Sequence, residues 1–329
     1  MKTLSRLYST LAASLLLATL ANAQAPSSLK GVVKVDGSST VYPITEAVAE
    51  EFKKVAPGVN VTVGVSGTGG GFKRFCAGET DVSNASRPVK PEEMEKAASN
   101  AVEFIEIPVA YDGLSIVINP RNTWVDHLTL DEVKRIWTDG SSVKTWKDIR
   151  PEWPDKPIRI FSPGTDSGTF DYFKEVVVGT KGSIRGDMSV SEDDNVLVKG
   201  VTGDEYAIGF FGCAYYFENK ASLRVVPIDA GKGPIEPNHE TIEKGTYAPF
   251  SRPLFIYVNK KAIERPEIKA FVGFYLQNAA RLSEEVGYVK LPAELYSRAA
   301  KNIAARKVGT QFTDEKGAPR HGALADLYK

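Results

Sequence analysis

Cysteine and histidine are scarce in this chain of 329 residues, and most of what they build is excluded with them. The 2 cysteines, Cys76 and Cys213, are too few for a disulfide-built fold or a cysteine-rich metal site. They stand far apart in sequence, and two buried thiols are expected rather than a bridge. The 3 histidines, His127, His239 and His321, are scattered without metal-ligand spacing, so no metal and no cofactor is expected. Excess charge is lacking too. With 41 Lys and Arg against 41 Asp and Glu, no global field draws nucleic acid or an acidic membrane, and an anion would have to be held by local donors. Beyond the first residues there is no apolar run long enough to cross a bilayer, no internal repeat and no low-complexity tract.

The first residues are different. Met1-Lys2-Thr3-Leu4-Ser5-Arg6 leads into an apolar run from Leu11 to Leu20 and then Ala21-Asn22-Ala23. A basic start, a short apolar core and small residues describe a secretory signal peptide, expected to be cleaved after Ala23. No cysteine lies close to that point, which argues against a lipid anchor. About 300 residues remain, comfortable for two domains.

Three clusters of Ser, Thr and Gly punctuate the rest of the chain, each between a strand pattern and a helix pattern. They are Gly37-Ser38-Ser39-Thr40, Ser66-Gly67-Thr68-Gly69-Gly70-Gly71 and Gly164-Thr165-Asp166-Ser167-Gly168-Thr169. A helix start offers unpaired backbone N–H groups and a partial positive charge, and hydroxyls add donors, so three such starts point to one small oxyanion. Taken singly, each has a plain alternative. Ser167, Gly168 and Thr169 read equally as an ordinary helix cap with Asp166 beside it. Thr68 and its glycines read as a tight turn, and the loop lacks the lysine of a Walker motif. Arg87, in Asn84-Ala85-Ser86-Arg87-Pro88, is a candidate oxyanion clamp or a surface salt-bridge residue.

Between the clusters, Val59, Val61, Val63 and Val65 alternate as a strand, Ile44, Val48 and Phe52 recur at helical spacing, and Ile105 to Asn119 forms one long extended stretch. Helices are expected over Pro91–Ser99, Leu130–Trp137 and Phe170–Val178, with two more after Pro253–Val258. The polar tail from Asp314 is expected to be loosely held. Alternating strands and helices argue an α/β fold with mainly parallel sheets and a ligand at the carboxyl ends of strands. The expected organisation is a discontinuous first lobe, 28–110 plus 252–329, and an inserted second lobe, 111–251, with the ligand in the cleft between them.

The three clusters in this order, with Thr80-Asp81 and Ala85-Ser86-Arg87-Pro88 between the second and third, resemble the phosphate-binding proteins of ABC-type phosphate importers. The resemblance spans essentially the whole mature chain. It implies the periplasmic-binding-protein-like fold, two lobes with a hinge and ligand cleft, and a periplasmic, monomeric, non-enzymatic receptor that passes phosphate to a membrane permease. It implies Ser39 and Thr40, Thr68, and Ser167, Gly168 and Thr169 as neutral phosphate donors. The chain departs from the best-known branch at Ser86, which stands in place of an aspartate, and at Pro163, in place of an arginine. Arg87 is therefore expected to supply the cation and Asp166, or else Asp36, the carboxylate that accepts the phosphate proton. The competing readings are a receptor for another tetrahedral oxyanion, such as sulfate, arsenate or molybdate, and a secreted phosphomonoesterase.

Overall fold

A fifteen-residue strand, buried at every position, runs through the middle of the protein and organises the rest. The computed structural model describes residues 28–329 apart from 166, 180, 192, 315–319 and 321, so the expected signal peptide lies outside the described residues. In chain order the strands and helices are β1 (Gly31–Gly37), α1 (Tyr42–Val55), β2 (Val59–Val63), α2 (Gly67–Cys76), β3 (Val82–Ala85), α3 (Pro91–Ser99) and β4 (Phe104–Ile118). Next come β5 (Leu128–Thr129), α4 (Leu130–Trp137), β6 (Arg159–Pro163), α5 (Gly168–Val178), β7 (Ser189–Ser191), α6 (Asp194–Gly203), β8 (Ala207–Gly212) and α7 (Cys213–Glu218). The chain closes with β9 (Arg224–Val225), β10 (Ile228–Asp229), β11 (Pro234–Ile235), α8 (His239–Glu243), β12 (Ser251–Asn259), α9 (Pro266–Glu285), α10 (Ala293–Ala304) and α11 (Leu324–Leu327).

The main sheet runs β2-β1-β3-β12-β4-β8-β6-β7, with β9 also on β4. Its two ends are parallel, β2-β1-β3 at one and β8-β6-β7 at the other. The middle is antiparallel, which corrects the expectation of mainly parallel sheets. β4 pairs with β12 from Phe104 to Gly113, then with β8 from Leu114 to Ile118. Pro108 has no N–H to give the ladder, and the register slips beside it between Leu254 and Phe255. A strand buried on both faces must satisfy its polar groups internally. Glu106 receives Tyr257 Oη at 2.8 Å, Thr310 Oγ1 at 2.7 Å and the Gln311 amide at 3.0 Å, while Ser115 donates to the Phe211 carbonyl.

Towards the β2-β1-β3 end, Ile44, Val48 and Phe52 form the buried stripe of α1, and Phe52 meets Phe271 and Phe274 of α9 at 5.5 and 5.4 Å between ring centroids. Towards the β8-β6-β7 end, Trp137, Phe173 and Phe210 make an aromatic pile, with Phe173 and Phe210 stacked at 3.7 Å. That pile fixes α5, the helix opened by the third cluster. Both thiols are free and buried, and burial lifts Cys76 to about 11.

The last described residues are held more firmly than their polarity implies, a second correction, while 315–319 and 321 of the expected loose tail lie outside the described residues. Tyr328 is fully buried and donates to the Glu106 carbonyl, and α11 packs Leu324 inward. One aromatic ring with a polar tip outweighs a run of polar neighbours.

Candidate functional site

The first cluster comes directly after β1. Gly37 sits at φ 140°, and a Cβ there would lie 2.2 Å from the Asn84 carbonyl, so glycine lets the chain turn close against β3. The turn delivers Ser38, Ser39 and Thr40, and α1 begins two residues later. The second cluster forms the opening of α2 itself, its glycines lying inside the helix rather than before it. A Cβ on Gly71 would come 2.4 Å from Gly37 Cα, so the absent side chain lets clusters one and two touch. The third cluster opens α5, where Ser167 caps the helix by accepting the Thr169 amide at 3.2 Å. Gly168 abuts the first cluster: a Cβ there would meet Thr40 Cα and Oγ1 at 2.9 Å.

These contacts enclose a cavity of about 210 Å³. Ser38, Ser39 and Thr40 line it from the first cluster, Gly67 and Thr68 from the second, and Ser86 and Arg87 from the loop after β3. Asp171, Tyr172 and Glu175 of α5 and Arg252 at the start of β12 complete the wall. Of the residues expected from sequence, Ser39, Thr40, Thr68, Ser86 and Arg87 are brought together. Ser167, Gly168 and Thr169 adjoin the cavity through the Gly168–Thr40 contact but are not on its wall. Asp166 lies outside the described residues. A larger depression, about 360 Å³, lies elsewhere among Pro120, Asp126, Tyr216 and Arg224, and none of the three clusters reaches it.

Asp36 does not reach the wall, which corrects its candidacy as a proton acceptor. Its buried carboxylate accepts the Gly37 amide at 2.8 Å and the Ser66 amide at 3.1 Å and pairs with Arg74. It ties cluster one to cluster two through Oδ1 and holds Arg74 through Oδ2. Thr68 and Ser86 are joined in turn, their hydroxyls 3.1 Å apart, with the Ser86 amide donating to Thr68 Oγ1.

The two guanidiniums on the wall differ. Arg87 grips Glu93 with two bonds of 2.7 and 2.9 Å, gives a third to the Pro88 carbonyl, and rests over Phe72. Among the described residues Arg252 makes only long contacts, to Asp112, Glu175 and Thr40 at 3.4, 3.5 and 3.4 Å, and lies 3.7 Å over the Tyr172 ring. Asp112 is buried, which raises its carboxyl pKa against the pull of Arg252. Loss of solvent also raises that of Asp171.

Arg252, Asp171, Tyr172 and Glu175 are wall residues that sequence reasoning missed. Two signals point to the charged ones. Ser251-Arg252-Pro253 repeats Ser86-Arg87-Pro88, and β12 is the antiparallel neighbour of β3, so both arginines reach the same edge. Asp171 and Glu175 stand four apart on the helix opened by the third cluster, hence on one face.

Comparison with known proteins agrees with the geometry. Residues 22–279 match the model of the PBP superfamily domain. Protein SphX of Synechocystis is 46% identical over 315 residues, 95% of this chain and 94% of its own length. The phosphate-binding protein PstS of Staphylococcus saprophyticus is 42% identical over 82% of this chain and 83% of its own. Among solved structures, a possible phosphate binding protein from Planctomyces limnophilus is 45% identical with a TM-score of 0.82, covering 85% of this chain and all of that one. A putative phosphate ABC transporter substrate-binding protein from Clostridium perfringens, solved with bound phosphate, is 27% identical with a TM-score of 0.55 over 80% of this chain. The chain thus has the two-lobed periplasmic-binding-protein fold and belongs to the PBP superfamily, within the family of the PstS phosphate-binding proteins.

Proposed function

We propose that this protein is an exported, monomeric receptor that closes two lobes over one inorganic phosphate and gives it to the membrane permease of an ABC-type importer, without catalysis. The observation that carries this reading is the convergence of hydroxyls from Ser38, Ser39, Thr40, Thr68 and Ser86 on one small cavity with two guanidiniums at its rim. Neutral donors fix the orientation of a compact oxyanion, and the cations offset its charge. Ser167, Gly168 and Thr169, already held against Thr40 by the Gly168 contact, add donors from the facing lobe.

The lobes are 28–110 plus 252–329 and 111–251. The exchange of β4 from β12 to β8 at Gly113/Leu114, and the start of β12 at Ser251, support that division. Closure is then a movement about two crossing segments. Export rests on the basic and apolar start with its small-residue end at Ala23. No helix among the described residues is long and apolar enough to cross a membrane.

Phosphate near neutral pH keeps a proton and sulfate does not, so a carboxylate on the wall favours phosphate and repels an ion with nothing to donate. Asp36 is engaged elsewhere and Asp166, the first candidate from sequence, lies outside the described residues, so among the described wall residues Asp171 takes that role. The reading is tested by calorimetric titration of the dialysed protein with phosphate, alone and in excess sulfate. One-to-one binding that survives sulfate is expected. Displacement by sulfate reassigns the ligand, and turnover of a chromogenic phosphate ester overturns the receptor in favour of an enzyme.

A further inference from the structure

With the cleft taken as the phosphate site, the guanidinium of Arg252 is the group whose contacts decide most. Two carboxylates and a hydroxyl share it. Nε faces Asp112 Oδ2 at 3.4 Å, Nη1 faces Glu175 Oε2 at 3.5 Å, and Nη2 faces Thr40 Oγ1 at 3.4 Å. Each lies at the long edge of hydrogen bonding, where the interaction is weak. The plane of the fork is nonetheless set, because it stacks on Tyr172, whose hydroxyl is anchored to the Pro249 carbonyl at 2.6 Å. Arg252 is therefore oriented without being consumed, whereas Arg87 has committed its fork to Glu93 at 2.7 and 2.9 Å.

The two carboxylates on Arg252 are not equivalent. The Asp112 side chain is 2% exposed and sits on a strand, with nowhere to go. That of Glu175 is 54% exposed, on the surface of α5, and a rotamer change returns it to water at little cost. Asp112 thus holds Nε in place, and the Nη1 edge is open to exchange.

We propose that Glu175 is a built-in competitor for the ligand: its carboxylate and the bound phosphate alternate on the Nη1 edge of Arg252. The cavity places both within reach, since Glu175 and Arg252 line the same wall as the Ser and Thr donors. Glu175 holds the affinity below what the remaining donors reach, and it refills the edge as the anion leaves. Release from the site then exchanges one charged partner for another and never leaves the Nη1 edge of the half-buried guanidinium without a partner. A receptor that must surrender its cargo gains speed of release at the expense of tightness.

The test measures phosphate affinity by calorimetry and phosphate dissociation by stopped flow for the full chain, Glu175→Gln, Arg252→Lys and the double variant. Lysine keeps a positive charge beside Asp112, so the fold is preserved, but it lacks the second N–H edge. Glu175→Gln is expected to bind about threefold or more tighter and to release correspondingly more slowly. In the Arg252→Lys background the same change is expected to gain less than about twofold. Unchanged or weaker binding by Glu175→Gln overturns the proposal. So does an equal gain in both backgrounds, which marks repulsion through space rather than a shared fork. If the unaltered protein shows no phosphate binding, the receptor reading falls and this proposal with it. Binding by the unaltered protein without the coupling removes this proposal alone.

Discussion

Arg252 and Asp112 stand opposite each other in the antiparallel register of β12 and β4, Nε to Oδ2 at 3.4 Å, one position before β4 leaves β12 for β8. A wall residue of the cavity is thereby paired beside the point where the central strand changes partners. Charge placed on one acts on the other, and the burial that raises the Asp112 carboxyl makes that pair sensitive to anything competing for the guanidinium.

Gly168→Ala is expected to weaken phosphate binding by about fivefold or more, because overpacking of one methyl costs about 1–3 kcal/mol. Its Cβ would lie 2.9 Å from Thr40 Cα, backbone that cannot swing aside. The contact joins two elements across the cleft and is not part of either core, so the melting temperature without ligand should change little. Calorimetry beside a thermal melt separates the two effects.

Asp171→Asn is expected to lower the preference for phosphate over sulfate by about tenfold, through relief of the penalty on sulfate more than loss of phosphate affinity. Competition titrations give the ratio directly. An unchanged ratio would return the acceptor role to another carboxylate.

How far such residues can be read from sequence depends on the range of the signal. Alternating valines and the Ile44, Val48, Phe52 stripe are local, and they place β2 and α1 closely; Thr129 caps α4 as its pattern implies. The pairing of β4 is not local. A buried fifteen-residue strand reads as one extended run whether its neighbours are parallel or antiparallel, and only tertiary contacts assign β12 to one half and β8 to the other. The Ser and Thr donors are legible because helix starts have a composition. Arg252 is not, since its importance comes from the pairing of β12 with β3, Tyr257 opposite Ser83, which are far apart in sequence. Asp36 looks available because sequence does not show that the Ser66 amide and Arg74 fold back onto it.

Glu106 makes stability depend on pH. Burial lifts its carboxyl from 4.5 to about 7, with the Gln311 amide, Thr310 and Tyr257 holding the shift back. The folded chain then keeps a proton that the unfolded chain releases, so stability falls as pH rises from about 4.5 to about 7, by up to about 3 kcal/mol. Urea denaturation at about pH 5 and about pH 8 should show that loss, and Glu106→Gln should remove much of it.

Tyr328→Ala is expected to cost about 3–5 kcal/mol, the usual range for deleting a large buried aromatic ring. Tyr328 is fully buried, and its hydroxyl is bonded to the Glu106 carbonyl. The midpoint of urea unfolding measures it. A cost under about 1 kcal/mol would mean the tail is as loosely held as its composition suggests.

Because β4 carries the ladder of both halves of the sheet, the two halves share one spine. Stripping β8 from Leu114–Ile118 exposes backbone groups that directly continue the row β12 covers, so loss of one half leaves the other's ladder with an open end. Movement about the cleft is therefore a twist carried within a hydrogen-bonded sheet, with its amplitude limited by the ladder, and heating should dismantle the two halves in a single cooperative step.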